Sequence, residues 1–218
     1  MIDVHTACQM LVDYSLLYFE DIVHANRASF HDAYLKKLPQ ADSYRYNPAC
    51  ITSQELSLSV SAYSGFECQL SRIFNATIIH LEYRRAPEHP FPAAIDDSLT
   101  LYRAVLQDGI FPSRLVIMSD SAGGGLTLLT IQALLARQLP KPRAGIILSA
   151  WADFSLSGES FTRNHLQDVI LHAEGFPWTV EKILDLNHSQ IMRDDPSYSP
   201  LFGSFKDFPP LYITVGTA

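Results

Sequence analysis

Glycine is almost missing from the first half of this chain: Gly65 is the only one among residues 1–108. That excludes a glycine-rich loop from the whole of that half. Positive charge is thin as well. Sixteen Lys and Arg face 23 Asp and Glu, for a formal charge of −7. No Lys/Arg cluster interrupts this balance, which excludes the concentrated basic face that nucleic acids and anionic membranes require. Cysteine is rare and odd in number. Cys8, Cys50 and Cys68 form no C-x-x-C pair, so a reduced, cytoplasmic protein with unpaired thiols is the simplest reading. Long apolar runs are lacking too. The best of them, Met10 to Phe19, contains Asp13 and is too short to cross a bilayer. The N-terminus, Met1-Ile2-Asp3-Val4-His5, lacks the basic start of a secretory signal. Asn75-Ala76-Thr77 and Asn187-His188-Ser189 are then read as accidental matches to the glycosylation pattern.

What is present describes a globular domain. The 218 residues are 47% apolar and 18% charged, enough for one sizeable core. Residues 5–36 are helix-compatible, with no glycine or proline, and 39–48 read as a polar loop. Residues 66–74 suit a short helix with Phe66, Leu70, Ile73 and Phe74 on one face. Further on, the runs 76–81, 115–118, 145–148 and 211–215 predict strands that are apolar on both faces. Helices are expected at about 93–106, 121–137 and, started by Pro177, 177–186. The middle one is hydrophobic all round, which marks a helix packed deep in the fold. Buried strands alternating with helices predict an α/β fold, a doubly wound and mostly parallel sheet covered on both sides. The excursion over 150–210 is long for a connection, and such lengths tend to be functional.

The site-bearing segment is Ser119-Asp120-Ser121-Ala122-Gly123-Gly124-Gly125, where a strand ends and the buried helix begins. In a G-x-S-x-G elbow the central serine is held in a strained turn with its hydroxyl exposed. Small residues two before and two after let strand and helix pass closely. Gly123 fills the trailing position; Ser119 replaces the leading glycine and is small enough to fit. The helix start would aim its N–H groups at the reaction centre, with the backbone N–H of Ala122 as one oxyanion donor. A dinucleotide fingerprint starting at Gly123 and Gly125 needs a third glycine where Leu128 stands, and no P-loop lysine follows. A tight structural turn with an incidental serine stays open on this pattern alone.

Four blocks in order extend the pattern. Tyr83-Arg84-Arg85-Ala86-Pro87-Glu88-His89-Pro90-Phe91-Pro92-Ala93-Ala94 resembles the Y-R-L-A-P-E-H-P-F-P-A-A signature of hormone-sensitive-lipase-like esterases. Asp120 to Gly125 is similar to the G-D-S-A-G-G elbow of that family. Trp151 to Ser160 is similar to its W-x-D-L-[ST]-x-S-G-E-S segment. Ser199-Pro200-Leu201-Phe202, Pro209-Pro210-Leu211 and Val215-Gly216-Thr217-Ala218 follow in the family's sequence. The resemblance covers residues 76–218 and implies an α/β-hydrolase that cleaves carboxylic esters through Ser121, without metal or organic cofactor, by way of an acyl-enzyme. It implies a small apolar ester substrate or ligand as the partner. Residues 1–48 are expected to be an N-terminal helical, cap-like segment, and 49–218 an incomplete α/β-hydrolase domain lacking the last strand and helix. The connector 84–94 reads as structural, with Arg84, Arg85 and Glu88 pairing nearby.

Three things the family's chemistry uses are not legible. Its acid and histidine lie beyond the V-G-[ST]-A block, where this sequence has already reached Ala218. Its H-G-G-G oxyanion loop lies upstream of the first block, where only Ser64-Gly65 could offer an N–H. One missing donor typically costs about 3–4 kcal/mol of transition-state stabilisation. The Asp–His pairs available after Ser121 are Asp153 with His165, Asp168 with His172, and Asp185 with His188, all read as caps and solvated side chains. Impaired turnover is therefore expected. Two alternatives stand beside it: a non-catalytic relative that binds a small ligand, as plant gibberellin receptors resemble the same family without the catalytic histidine, or an inactive, truncated gene product. The strand at 211–215 is expected to be an exposed apolar edge that lowers solubility.

Overall fold

The computed structural model describes residues 14–19, 44–47, 66, 67, 69, 70, 72–74, 76–81, 83–164, 173–186, 188 and 190–216. Six strands form one sheet: β1 (Tyr14–Phe19), β2 (Tyr44–Asn47), β3 (Ala76–Leu81), β4 (Leu115–Asp120), β5 (Ala144–Leu148) and β6 (Leu211–Thr214). Their order across the sheet is β2-β3-β1-β4-β5-β6. Helix α1 (Ala93–Gln107) joins β3 to β4, and α2 (Ser121–Ala136) joins β4 to β5. Two shorter helices, α3 (Glu159–Arg163) and α4 (Phe176–Leu184), lie in the excursion before β6.

The half of the sheet nearest β6 follows the expectation. β4 pairs with β5, and β5 with β6, in parallel, and α2 connects the first two. β4 reads as an unbroken apolar run because it is buried on both faces. The other half differs. β1 pairs antiparallel with both β3 and β4, and β2 pairs antiparallel with β3. The sheet is thus parallel in the direction of β3, β4, β5 and β6 but mixed in its pairings. Both antiparallel strands come from residues 1–48, expected as a separate helical segment. Tyr14-Ser15-Leu16-Leu17-Tyr18-Phe19 is rich in residues that suit a pleated, half-buried surface. Once β3 and β4 lie two positions apart, the slot between them must be filled by backbone that satisfies both ladders. That demand outweighs the segment's helix compatibility.

The core lies chiefly between the sheet and helices α1 and α2. Leu81, Leu99, Tyr102, Val105, Leu115, Ile117, Ile131 and Leu134 are all buried there. Helix α2 is buried over nearly its whole length, from Gly123 through Ile131 and again at Leu134. Residues 66, 67, 69, 70 and 72–74 are helical as expected, but the apolar face named above is not the buried one. Phe66, Ile73 and Phe74 are exposed, whereas Leu70 and Glu67 are buried. Glu67 is drawn inward by His80 of β3, whose Nδ1 lies 2.6 Å from its Oε1. A buried carboxylate is tolerable only with such a partner.

Candidate active site

Helix α2 starts directly where β4 stops, with no intervening residue. The change of direction is made at Ser121, whose φ is +49°. For a residue with a Cβ the left-handed region costs about 1–2 kcal/mol, so the surrounding structure must impose it. Asp120 just before is extended, at φ −128° and ψ 165°. Two features impose the turn. The Trp151 N–H donates to the Ser121 carbonyl at 2.8 Å. The Trp151 carbonyl oxygen lies so close to Gly125 that an added Cβ would approach it to 2.1 Å. Trp151 therefore grips the first turn of α2 through both polar atoms of its backbone.

Tight passage falls at Gly125 and at Gly124, where a Cβ would meet Ala150 and Ile147 at 3.0 Å. The motif itself singles out Gly123; the two later glycines belong to contacts across the sheet and leave no mark in a five-residue pattern. Ser119, in place of the leading glycine, is buried and shares a 2.6 Å hydrogen bond with Thr127 Oγ1 one and a half turns along α2. The hydroxyl that departs from the usual glycine is thus satisfied inside the fold.

The segment after Trp151 is stiffened by one carboxylate. Asp153 Oδ1 accepts from the Ser155 N–H at 2.7 Å and from its hydroxyl, and Oδ2 accepts from the Ser157 N–H at 2.9 Å and hydroxyl at 2.7 Å. Partial burial works against the ionised form, but these four donors outweigh it and hold the carboxyl below its ordinary range. Ser199 ties the far end of the excursion back: its Oγ accepts from the Phe154 N–H at 2.8 Å and donates to the Arg193 carbonyl.

A cleft opens beside the elbow, with Ala122 and Leu126 of α2 on its wall. The proline-rich connector forms another wall through Tyr83, Arg85, Ala86, His89 and Phe91, and α4 closes it with Trp178, Lys182 and Ile183. The expected structural role of the connector is evident in Arg84. Its guanidinium grips Asp97 of α1, with Nη2 to Oδ1 at 2.8 Å and Nε to Oδ1 at 3.0 Å. The Arg84 N–H also reaches Asp97 Oδ2 at 2.9 Å. Its part in shaping the cleft was not legible in the sequence. Phe91 meets Phe154 at a tilt and stacks on Tyr198, with centroids 5.8 and 6.1 Å apart, so the connector packs directly on the excursion.

Strand, strained serine, buried helix and adjoining cleft occur in one place, in the order the four sequence blocks require. The family model described as alpha/beta hydrolase fold matches residues 56–218. The chain belongs to this alpha/beta hydrolase family. Among its relatives are an acetyl-hydrolase of Streptomyces hygroscopicus, 37% identical over 65% of this chain and 46% of that one, and an esterase of Acinetobacter venetianus, 32% identical over 73% and 52%. Solved structures agree. An esterase/lipase from an uncultured bacterium superposes with a TM-score of 0.63 at 34% identity, over 71% of this chain and 50% of that one. An esterase of the bacterial hormone-sensitive lipase family does so with 0.62 at 34%, over 71% and 52%. The chain spans about half the length of these relatives.

Among the described residues no base is hydrogen-bonded to Ser121. Ser121 has no side-chain hydrogen bond there. Of the three Asp–His pairs, Asp153 is taken by Ser155 and Ser157, and His165, Asp168 and His172 lie outside the described residues. Asp185 and His188 do meet, at 2.7 Å. His188 is 79% exposed and does not line the cleft. Ser64 and Gly65 also lie outside the described residues. No group of three or more His, Cys, Asp or Glu positioned for a metal occurs among the described residues, and none of their helices is long and apolar enough to cross a membrane.

Proposed function

We propose that this protein hydrolyses carboxylic esters, with Ser121 attacking the acyl carbonyl and the backbone N–H of Ala122 binding the developing oxyanion. The reading is carried by the positive φ at Ser121, at the junction of β4 and α2, beside a cleft that Ala122 lines. The first N–H groups of α2 have no partners within the helix and face the same end of the dipole that favours negative charge. The acyl or alcohol chain lies along Phe91, Phe154 and Trp178, which favours a small ester with an apolar portion. Ser121 at its free pKa is a poor nucleophile, and no described residue brings it a base, so turnover by these residues is slow. Incubation with a fluorophosphonate, read by peptide mass spectrometry, is expected to modify Ser121 slowly and nowhere else, and Ser121→Ala is expected to remove both the label and any hydrolysis of a short p-nitrophenyl ester. Hydrolysis that persists in Ser121→Ala would overturn the assignment. That no base stands beside Ser121 among the described residues also supports a second reading, a binder without turnover. Saturable binding of an ester by a chain that never labels would favour it.

A further inference from the structure

Helix α2 is held from two sides, and the two holds differ in kind. Toward β5 the contacts run through backbone: the Trp151 N–H bonds the Ser121 carbonyl, and Gly124 and Gly125 pass close to Ala150 and the Trp151 carbonyl. Toward β4 the tie is a pair of hydroxyls, Ser119 Oγ and Thr127 Oγ1, 2.6 Å apart. Both residues are buried, Ser119 at 5% exposure and Thr127 at 0%. Thr127 uses both arms of its side chain. Its hydroxyl turns to β4, and its methyl lies 3.9 Å from where a Cβ would stand at Gly145 of β5. Ser119 shares a face of β4 with Ile117, which packs in one cluster with Leu126 and Ile131 of α2. An apolar pair in the same place would rest at about 3.5–4.0 Å. The shared proton therefore draws α2 closer to β4 than carbon against carbon would, by about 1 Å. Thr127 is six residues beyond Ser121, only about 9 Å along the helix axis, so a shift at one is carried to the other.

We infer that the Ser119–Thr127 hydrogen bond sets the angle at which α2 leaves β4, and so positions the Ser121 hydroxyl and the Ala122 N–H for attack on the ester carbonyl. Both are positioning residues, since neither touches the reacting atoms. The inference rests on the reading of Ser121 as nucleophile. A displacement of about 1 Å at such a centre can cost about a hundredfold in rate, so a tie of this length has a kinetic consequence as well as a structural one.

The experiment measures the rate at which a fluorophosphonate labels Ser121, at a temperature well below the unfolding midpoint of every variant. Ser119→Ala and Thr127→Val are each expected to slow labelling about tenfold, and Thr127→Ser, which keeps the hydroxyl, to stay within about twofold of the parent. The double variant Ser119→Ala/Thr127→Val leaves no buried hydroxyl without its partner, so its midpoint is expected to recover above those of the two single variants. Its labelling should nevertheless remain about tenfold slow, because the same bond is lost only once. Stability and reactivity then separate in one molecule. A pair that merely stabilises the fold would lower the midpoints and leave folded protein labelling at the parent rate, or would let labelling recover together with the midpoint. Either result overturns the inference, as does Thr127→Ser labelling as slowly as Thr127→Val, or a loss of about a hundredfold in the double variant. Should a single variant fail to fold, the parent, Thr127→Ser and the double variant still decide. No labelling of Ser121 in the unsubstituted protein would overturn the hydrolase reading and this inference together, whereas equal labelling in every variant would overturn this inference alone.

Discussion

The two ends of the parallel half of the sheet are built to different standards. At the β4–α2 end, backbone meets backbone: Trp151 bonds Ser121 at 2.8 Å and leaves Gly125 no room for a methyl group. At the β6 end, Tyr212 is 63% exposed, Ile213 53% and Val215 68%. Successive residues of a strand point to opposite faces, so exposure of both Tyr212 and Ile213 means that β6 is open on both sides beyond Leu211, which packs on the core. Among the described residues it pairs with β5 alone. Strain is thus stored where the surroundings over-determine the backbone, and apolar surface is left open where they do not. Only the first arrangement can hold a serine at φ +49°.

The comparison breaks most sharply at Gly125. Gly125→Ala drives a Cβ into the Trp151 carbonyl, and since backbone cannot move aside as a side chain can, the cost is expected to reach about 3 kcal/mol or more. Thermal unfolding followed by circular dichroism should show a much lower midpoint or no cooperative transition. A midpoint within a few degrees of the parent would mean that the elbow is not clamped. Next comes the connector. Asp97→Asn leaves the Arg84 guanidinium half-buried and without its counter-charge, and about 2–3 kcal/mol should be lost, visible as a shift in denaturant midpoint at constant slope.

A smaller effect is expected at Asp153, and it depends on pH. Its folded-state pKa lies below the ordinary carboxyl value of 3.8, so the stabilisation is complete above that value and disappears as pH falls through the lower folded value. Asp153→Asn should therefore weaken the protein at neutral pH and flatten the acid limb of its stability profile. Equal acid sensitivity in both proteins would contradict the hydrogen-bond account. The least effect on stability is expected at the open end: Ile213→Thr should change it by no more than about 0.5 kcal/mol. Sedimentation velocity should nevertheless show less self-association, because a polar side chain blunts an apolar edge.

The sequence told much about one half of the molecule and little about the other, for a physical reason. Strands β3 and β4 were legible because burial on both faces writes a continuous apolar run, and β5 and β6 because their apolar runs stand out between turn and loop residues. β1 was not, since its identity as a strand comes from the two neighbours it joins, and Tyr44-Arg45-Tyr46-Asn47 of β2 lies in a stretch that reads as polar loop. The same division holds at the site. Ser121 and Ala122 were marked by a local motif at a strand–helix junction. The grip of Trp151 and the exclusion at Gly125 depend on residues brought together by the fold, and the cleft wall made by Arg85 and His89 depends on where a proline-rich connector turns.

The most direct test of the elbow needs no catalytic base. A thiol at the N-terminus of a helix has a lowered pKa, and when exposed it reacts readily with alkylating agents. Ser121→Cys should be modified by iodoacetamide at neutral pH in the folded protein, faster than free cysteine, with position 121 read separately from Cys8, Cys50 and Cys68 by peptide mass spectrometry. A thiol at 121 that stays inert until denaturant unfolds the chain would show that this side chain does not face the cleft, and the case for Ser121 as a nucleophile would fail with it.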